Sequence, residues 1–145
     1  MSHPTPDDVL AGVRAAWDAS TLPALVPGGL HHGRAPSGRD APEPPYAVAT
    51  VKEGEREWFS GKAYVQPFTV TVRVWDAAPS PSTATVRRAL EDLLDAGALA
   101  VPNADDVLHV KPAGGELQLD PKPRESNNVL AAAGSWEVLV QGSRP

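Results

Sequence analysis

Apolar residues recur at helical spacing through the first twenty positions and at the two-residue spacing of strands over several later stretches. Val9, Val13, Ala16 and Trp17 fall three and four apart, which sets one apolar stripe with Arg14 and Asp18 turned away from it. Thr5 offers a capping hydroxyl, Pro6 suits the first turn, and Asp7 and Asp8 place anions at the positive end of the dipole. A helix is therefore predicted from there to about Ala19. From Pro27 to Pro45 the chain mixes prolines, glycines and charges, which excludes a helix and leaves room at most for a short strand around Leu30 and His31. This is read as a long exposed loop.

Tyr46 to Val51 is a short β-rich run, and Val65 to Trp75 is a longer one in which Phe68, Val70, Val72 and Val74 alternate with Thr69, Thr71, Arg73 and Trp75. Glu57, Trp58 and Phe59 extend a strand before Gly61 and make a hairpin into the long strand through Ser60 to Ala63. Pro67 predicts a bulge or an edge. The segment APSPSTATVRRALEDLLDAG reads as a second helix, capped by Ser82 or Thr83 and closed by Gly97. Val86, Ala89, Leu90, Leu93 and Leu94 form its apolar face, and Arg87, Arg88, Glu91, Asp92 and Asp95 its wet one. Val107 to Lys111 and Glu116 to Asp120, separated by PAGG, read as a hairpin with Leu108, Val110, Leu117 and Leu119 inward. After a loop from Pro121 to Asn128, a last strand runs to about Gln141 with Trp136, Val138 and Val140 on one face. The expected fold is α+β, a mainly antiparallel sheet of about four to six strands with two amphipathic helices packed on one face. No repeat or linker divides the 145 residues, so one domain is expected over 1–145.

Charge and composition narrow the chemistry. A net charge of −5 is too acidic for a protein that neutralises phosphates over its whole surface. With no cysteine, disulfides, thiolate metal sites and cysteine nucleophiles are excluded. The start MSHPTPDDVL lacks the regions of a signal peptide and no apolar run is long enough to span a membrane, so a soluble protein that stays where it is made is expected. His31 and His32, beside Asp40 or Glu43, invite a metal reading, but adjacent residues of an extended chain point to opposite sides. Asp7 with Asp8 and Asp105 with Asp106 are carboxylate pairs, each where a helix start or a turn favours short acidic side chains. SGK at positions 60–62 lacks the glycine spacing and the following hydroxyl of a phosphate loop. Neither catalytic residues, nor a metal, nor a cofactor is expected. Trp17 and Trp136 sit at core positions, whereas Trp75 lies on the other face of its strand and is a candidate contact for another subunit.

GLHHGRAPSGRDAPEPPYAV after the first helix, WFSGKAYVQPFTVTVRVWD as a hairpin and long strand, and TATVRRALEDLL directly behind it come in a familiar order. From Pro6 to Leu94 the chain resembles the tail terminator or tail-completion proteins of tailed phages, also called minor tail or neck proteins. His31 and His32 stand where that family commonly has an aromatic residue. The resemblance implies a ring-forming subunit, usually a hexamer, that closes the head-proximal end of the tail tube and has no catalytic activity. It also implies contacts with copies of itself, with the major tail tube protein and with a head-closure or connector protein. Its place would be the virion tail or neck after synthesis in the host bacterial cytoplasm, without membrane or sequence-specific nucleic acid. Leu30, His31, His32, Arg34, Pro36 and Arg39 of the proline-rich arm, together with Trp75, are the candidate subunit interface. Other readings are a different head–tail connector, a small binding module of a mobile element, or an enzyme of unrecognised mechanism. Arg73 and Trp75 are few residues on which to build a nucleic-acid surface.

Overall fold

Helix α1 (Pro6–Ala19) begins where the Thr5 side chain accepts a hydrogen bond from the Asp8 amide while the Asp8 carboxylate accepts one from the Thr5 amide at 2.8 Å. This reciprocal cap satisfies two donors that a helix start would otherwise leave open. Burial alone would raise the Asp8 carboxyl, but hydrogen bonds from the Thr5 amide, the Asn103 side chain and the Thr5 hydroxyl outweigh it and hold Asp8 below its ordinary value. In the computed structural model, which describes residues 3–33, 45–76, 83–94, 99–112 and 129–143, Val9, Val13 and Trp17 of this helix are buried. A single-turn helix, α2 (Leu22–Leu25), follows, with Leu22 fully buried; the sequence reading had assigned no element there.

Strands β1 (Leu30–His32), β2 (Tyr46–Glu53), β3 (Glu57–Trp58), β4 (Ala63–Asp76), β5 (Asp106–Pro112) and β6 (Val129–Ser143) form one sheet. Its order is β1-β2-β4-β6-β5, with β3 also on β4. All pairings are antiparallel except β1 with β2. Parallel neighbours need a return connection of about a dozen residues, and the stretch between His32 and Tyr46 has that length. The long proline-rich segment thus has a topological task as well as any other. Helix α3 (Thr83–Glu91) lies on β6 and α1 on β1 and β2, both on one face of the sheet, so the α+β fold is as expected. Val86, Leu90, Leu93 and Leu94 are buried, while Arg87, Arg88, Glu91 and Asp92 are exposed. Ser82, Asp95, Gly97, Leu117 and Leu119, named above for a cap, a wet face, a helix end and an inward strand face, lie outside the described residues.

One strand expectation needs correction here. Leu108 is 43% exposed rather than inward, because β5 and β6 shift register between Val107 and His109. Leu108 is the extra residue of that bulge, so Val107 and Val110 both reach the core although three positions separate them. Of the bulge or edge expected at Pro67, the edge is what forms: β4 and β6 stay in register through it, the irregularity lies at Val74/Trp75, and neither β2 nor β3 pairs with Pro67 on the other side. Its carbonyl accepts from the Gly54 amide at 2.9 Å, on the side away from β6. The missing N–H therefore also faces away from β6, in the gap where β2 has ended and β3 has not begun.

After α3 the chain passes under α1. Leu99 and Val101 join the core, and the Ala100 carbonyl approaches Gly12 so closely that a Cβ there would overlap it. The following Val101–Ala104 turn has Pro102 and Asn103 at its centre, with Asn103 at φ 65° and its amide donating to Asp8 at 3.2 Å. Loop and helix start are thus locked together.

Leu90→Asp places a carboxylate among Val86, Leu93 and the sheet, which costs about 3–5 kcal/mol. Chemical denaturation is expected to show an unfolded or strongly destabilised chain, and an unchanged midpoint would refute the helix register. Gly12→Ala would gain about 1 kcal/mol of helix propensity, yet the Cβ meets backbone, so the overlap at about 1–3 kcal/mol wins. A net loss of stability in the same measurement is the expected outcome.

Candidate functional site

The four candidate interface residues that the structure describes, Leu30, His31, His32 and Trp75, do not share one exposed surface. Leu30 is 5% exposed and packs in the main core, so it presents nothing to a neighbour. His31 is half-buried, its Nε2 donating to the Gly28 carbonyl at 3.0 Å and its ring edge-on to Tyr46. His32 is exposed. The two histidines are successive strand residues paired with Val48 and Ala49, and so belong to opposite faces. Among the described residues no group of three or more histidine or acidic side chains is placed to hold a metal ion. Arg34, Pro36, Arg39, Asp40 and Glu43 lie outside the described residues. Trp75 does sit on the face opposite the helices, but it is 6% exposed there, packed with Tyr46 and Val48 in a small second cluster. That burial within the chain removes it from the free surface. The exposed aromatic residues are elsewhere.

At one end of the sheet β3 turns into β4, and Phe59 at the turn is 60% exposed, with Trp58 beside it at 41%. This projection is well ordered by its own hydrogen bonds. The Ser60 hydroxyl accepts from the Lys62 amide at 3.2 Å and the Ala63 amide at 3.0 Å, and the Phe59 amide donates to the Ala63 carbonyl at 3.2 Å. Behind it Trp58 lies directly across from Tyr64, with ring centroids 4.8 Å apart. Tyr64 is fully buried, its hydroxyl 2.8 Å from His3 Nδ1 and its ring capped by the Arg56 guanidinium at 4.9 Å. Across the ladder stands Gly142, where any Cβ would collide with the phenol. Gln66, also buried, donates to Glu53 Oε1 at 2.8 Å and to the Gly54 carbonyl at 3.0 Å, and accepts from Arg56 Nε at 3.2 Å. The β2–β3 connection is thereby fastened over β4.

Beyond β6 from this hairpin is a groove of about 330 Å³ lined by Leu99, Ala100, Val101, Ala104, Asp105, Asp106 and Val107. Leu99 and Val101 lie at its base but are almost wholly buried, and with the exposed Asp105 and Asp106 at its rim the accessible lining is more polar than apolar. Its wall is held by the Asp105 amide donating to the Gln141 carbonyl at 2.8 Å. Asp105 and Asp106, expected as turn residues, stand on the rim of this groove, for which the sequence carries no signal. Phe59, expected to extend the strand, instead lies in the turn because β3 ends at Trp58, and the groove joins segments that meet only in the fold.

Burial raises the Tyr64 phenol above its ordinary value of 10; Arg56 opposes this, and Asp105 and Glu53 add to it. A raised folded pKa means that the linked stability is present below pH 10 and is lost as pH climbs through the folded value. Ultraviolet titration of the folded chain should therefore show a phenol ionising above 10 that Tyr64→Phe abolishes. The same substitution should cost about 0.5–1.5 kcal/mol at neutral pH through the lost bond to His3. No known family model matches the chain, and no curated protein matches it in sequence.

Proposed function

We propose that the chain is a structural subunit of a phage tail or tail-like particle, closing the head-proximal end of the tail tube as a ring and joining tail to head. The observation that carries the reading is the order of elements: a capped amphipathic helix, a proline-rich connection, an aromatic hairpin leading into a long central strand, and a second amphipathic helix. That order is the one the resemblance implies. A ring requires two different patches that meet between neighbouring copies, and the aromatic hairpin and the acidic groove are two such patches. The proposed work is assembly, not catalysis, with copies of itself, a tube protein and a connector protein as partners. Of the described residues of the proline-rich arm, Pro27, His32 and Gly33 are exposed and His31 is half-buried. Since the arm also returns the chain for the parallel β1–β2 pair, removing it would disturb the fold and the contact together.

Particles made without this chain are expected to carry tails of irregular length or tails without heads in electron micrographs. An affinity-tagged copy should label the head-proximal tail end. Normal joined particles in its absence, or label elsewhere, would overturn the assignment.

A further inference from the structure

We infer that neighbouring copies of this chain join head to tail by seating the Phe59 hairpin tip of one in the groove between Leu99 and Val107 of the next. This inference rests on the ring-forming reading and names the surfaces that would make the ring.

The argument begins with an exposed aromatic that is held in place. Phe59 is 60% exposed on a turn whose backbone is tied by the Ser60 hydroxyl and the Ala63 carbonyl, and Trp58 is braced against Tyr64. A tip that is already ordered loses little freedom on docking. The groove is equally prepared. Its floor follows the close approach of Ala100 to Gly12, and its far wall is set by the Val101–Ala104 turn and the Asp105–Gln141 bond. At about 330 Å³ it has room for an aromatic ring.

Charge points to the same pairing. Lys62 lies in the turn beside Phe59 and is exposed, while Asp105 and Asp106 form the groove rim and are exposed. Seating the ring brings the ammonium to the two carboxylates. Glu55 and Glu57 are also exposed, with Glu57 opposite Val65 and so farther from the turn than Lys62.

Position excludes closure within one molecule. Trp58 pairs with Tyr64, Tyr64 with Gly142, and Asp106 with Gln141, so hairpin and groove stand on opposite sides of β4 and β6 at the same end of the sheet. Three strand spacings separate them, about 14 Å. The tip of one chain therefore meets the groove of another, and because the two patches differ, the contact repeats around a ring or along a filament. Two aromatic side chains bury about 200 Å² each, well short of the roughly 1,200 Å² of a stable specific interface. The contact is an anchor that needs a template or high concentration, and covalent trapping is the suitable test.

The chain has no cysteine, so introduced ones report cleanly. Full-length chain carrying both Gly61→Cys, at an open position of the same turn that leaves Phe59 in place, and Ala104→Cys, mildly oxidised, is expected to give a ladder of dimers, trimers and higher species on non-reducing gels. Each single variant is expected to stay monomeric. The two positions are too far apart for a bond within one chain. Adding Lys62→Glu should cut the ladder roughly tenfold, and adding Asp106→Lys to that variant should restore it. Circular dichroism confirms folding of each variant. A dimer from Gly61→Cys alone, equal in yield to the double variant, would mean tip meets tip and would overturn the inference. No ladder from a folded double variant, while the unmodified chain still caps tails in micrographs, would overturn the contact and leave the ring. Absence of both would end both.

Discussion

The ladder between β4 and β6 carries the rest of the molecule. It runs from Ala63 opposite Ser143 to Asp76 opposite Val129. β2 and β3 pair with β4, β5 pairs with β6, α3 lies on β6, and β1 and α1 reach the ladder through β2. One face of β4 presents Tyr64, Gln66, Phe68, Val70, Val72 and Val74, all buried. Each large apolar side chain so buried contributes about 1.5–3 kcal/mol. That face is continuous in one core with Ala47 and Ala49 of β2 and with Trp136, Val138 and Val140 of β6, and the strands on either side of β4 are where α1 and α3 lie.

The opposite face is different in kind. Trp75, Tyr46 and Val48 form a small apolar island at one end, while farther along stand Thr71 and Ser135 at 3.4 Å and the exposed pair of Lys111 and Glu137 at 3.5 Å. Surface pairs of this sort contribute little to stability. The fold therefore depends on one face, and the surfaces suited to association gather at the end of the sheet, where the hairpin and the groove stand.

Much of this was legible in the residues. Thr5, Pro6 and Asp8 announce a helix start whose geometry is local, and the alternation from Phe68 to Val74 or from Trp136 to Val140 announces a buried strand face. What escaped was whatever depends on a second segment. Leu108 looked inward by strict alternation, and only its pairing with β6 inserts the bulge that turns it out. Leu30 looked available on a proline-rich arm, and only the parallel pairing with β2 takes it into the core. Trp75 sat on the expected face, but its burial depends on the cross-strand neighbour Tyr46. The groove was invisible for the same reason: Leu99 and Val107 are separated by a turn whose left-handed Asn103 is anchored on a helix start far away in sequence.

Pro67 bears on how safely this chain reaches its native state. The two strands of the central ladder are far apart in sequence, and pairings of that kind form slowly because a large loop must close first. During that interval β4 is a long, valine-rich strand with open edges, the kind of segment that recruits strands from other molecules. A proline in its middle leaves one edge without a donor at that position, and so shortens the stretch on which an intruding strand can template. Because the absent donor points away from β6, the native ladder forfeits nothing. The same residue that marks a gap in the finished sheet acts, before the sheet exists, as a guard against aggregation.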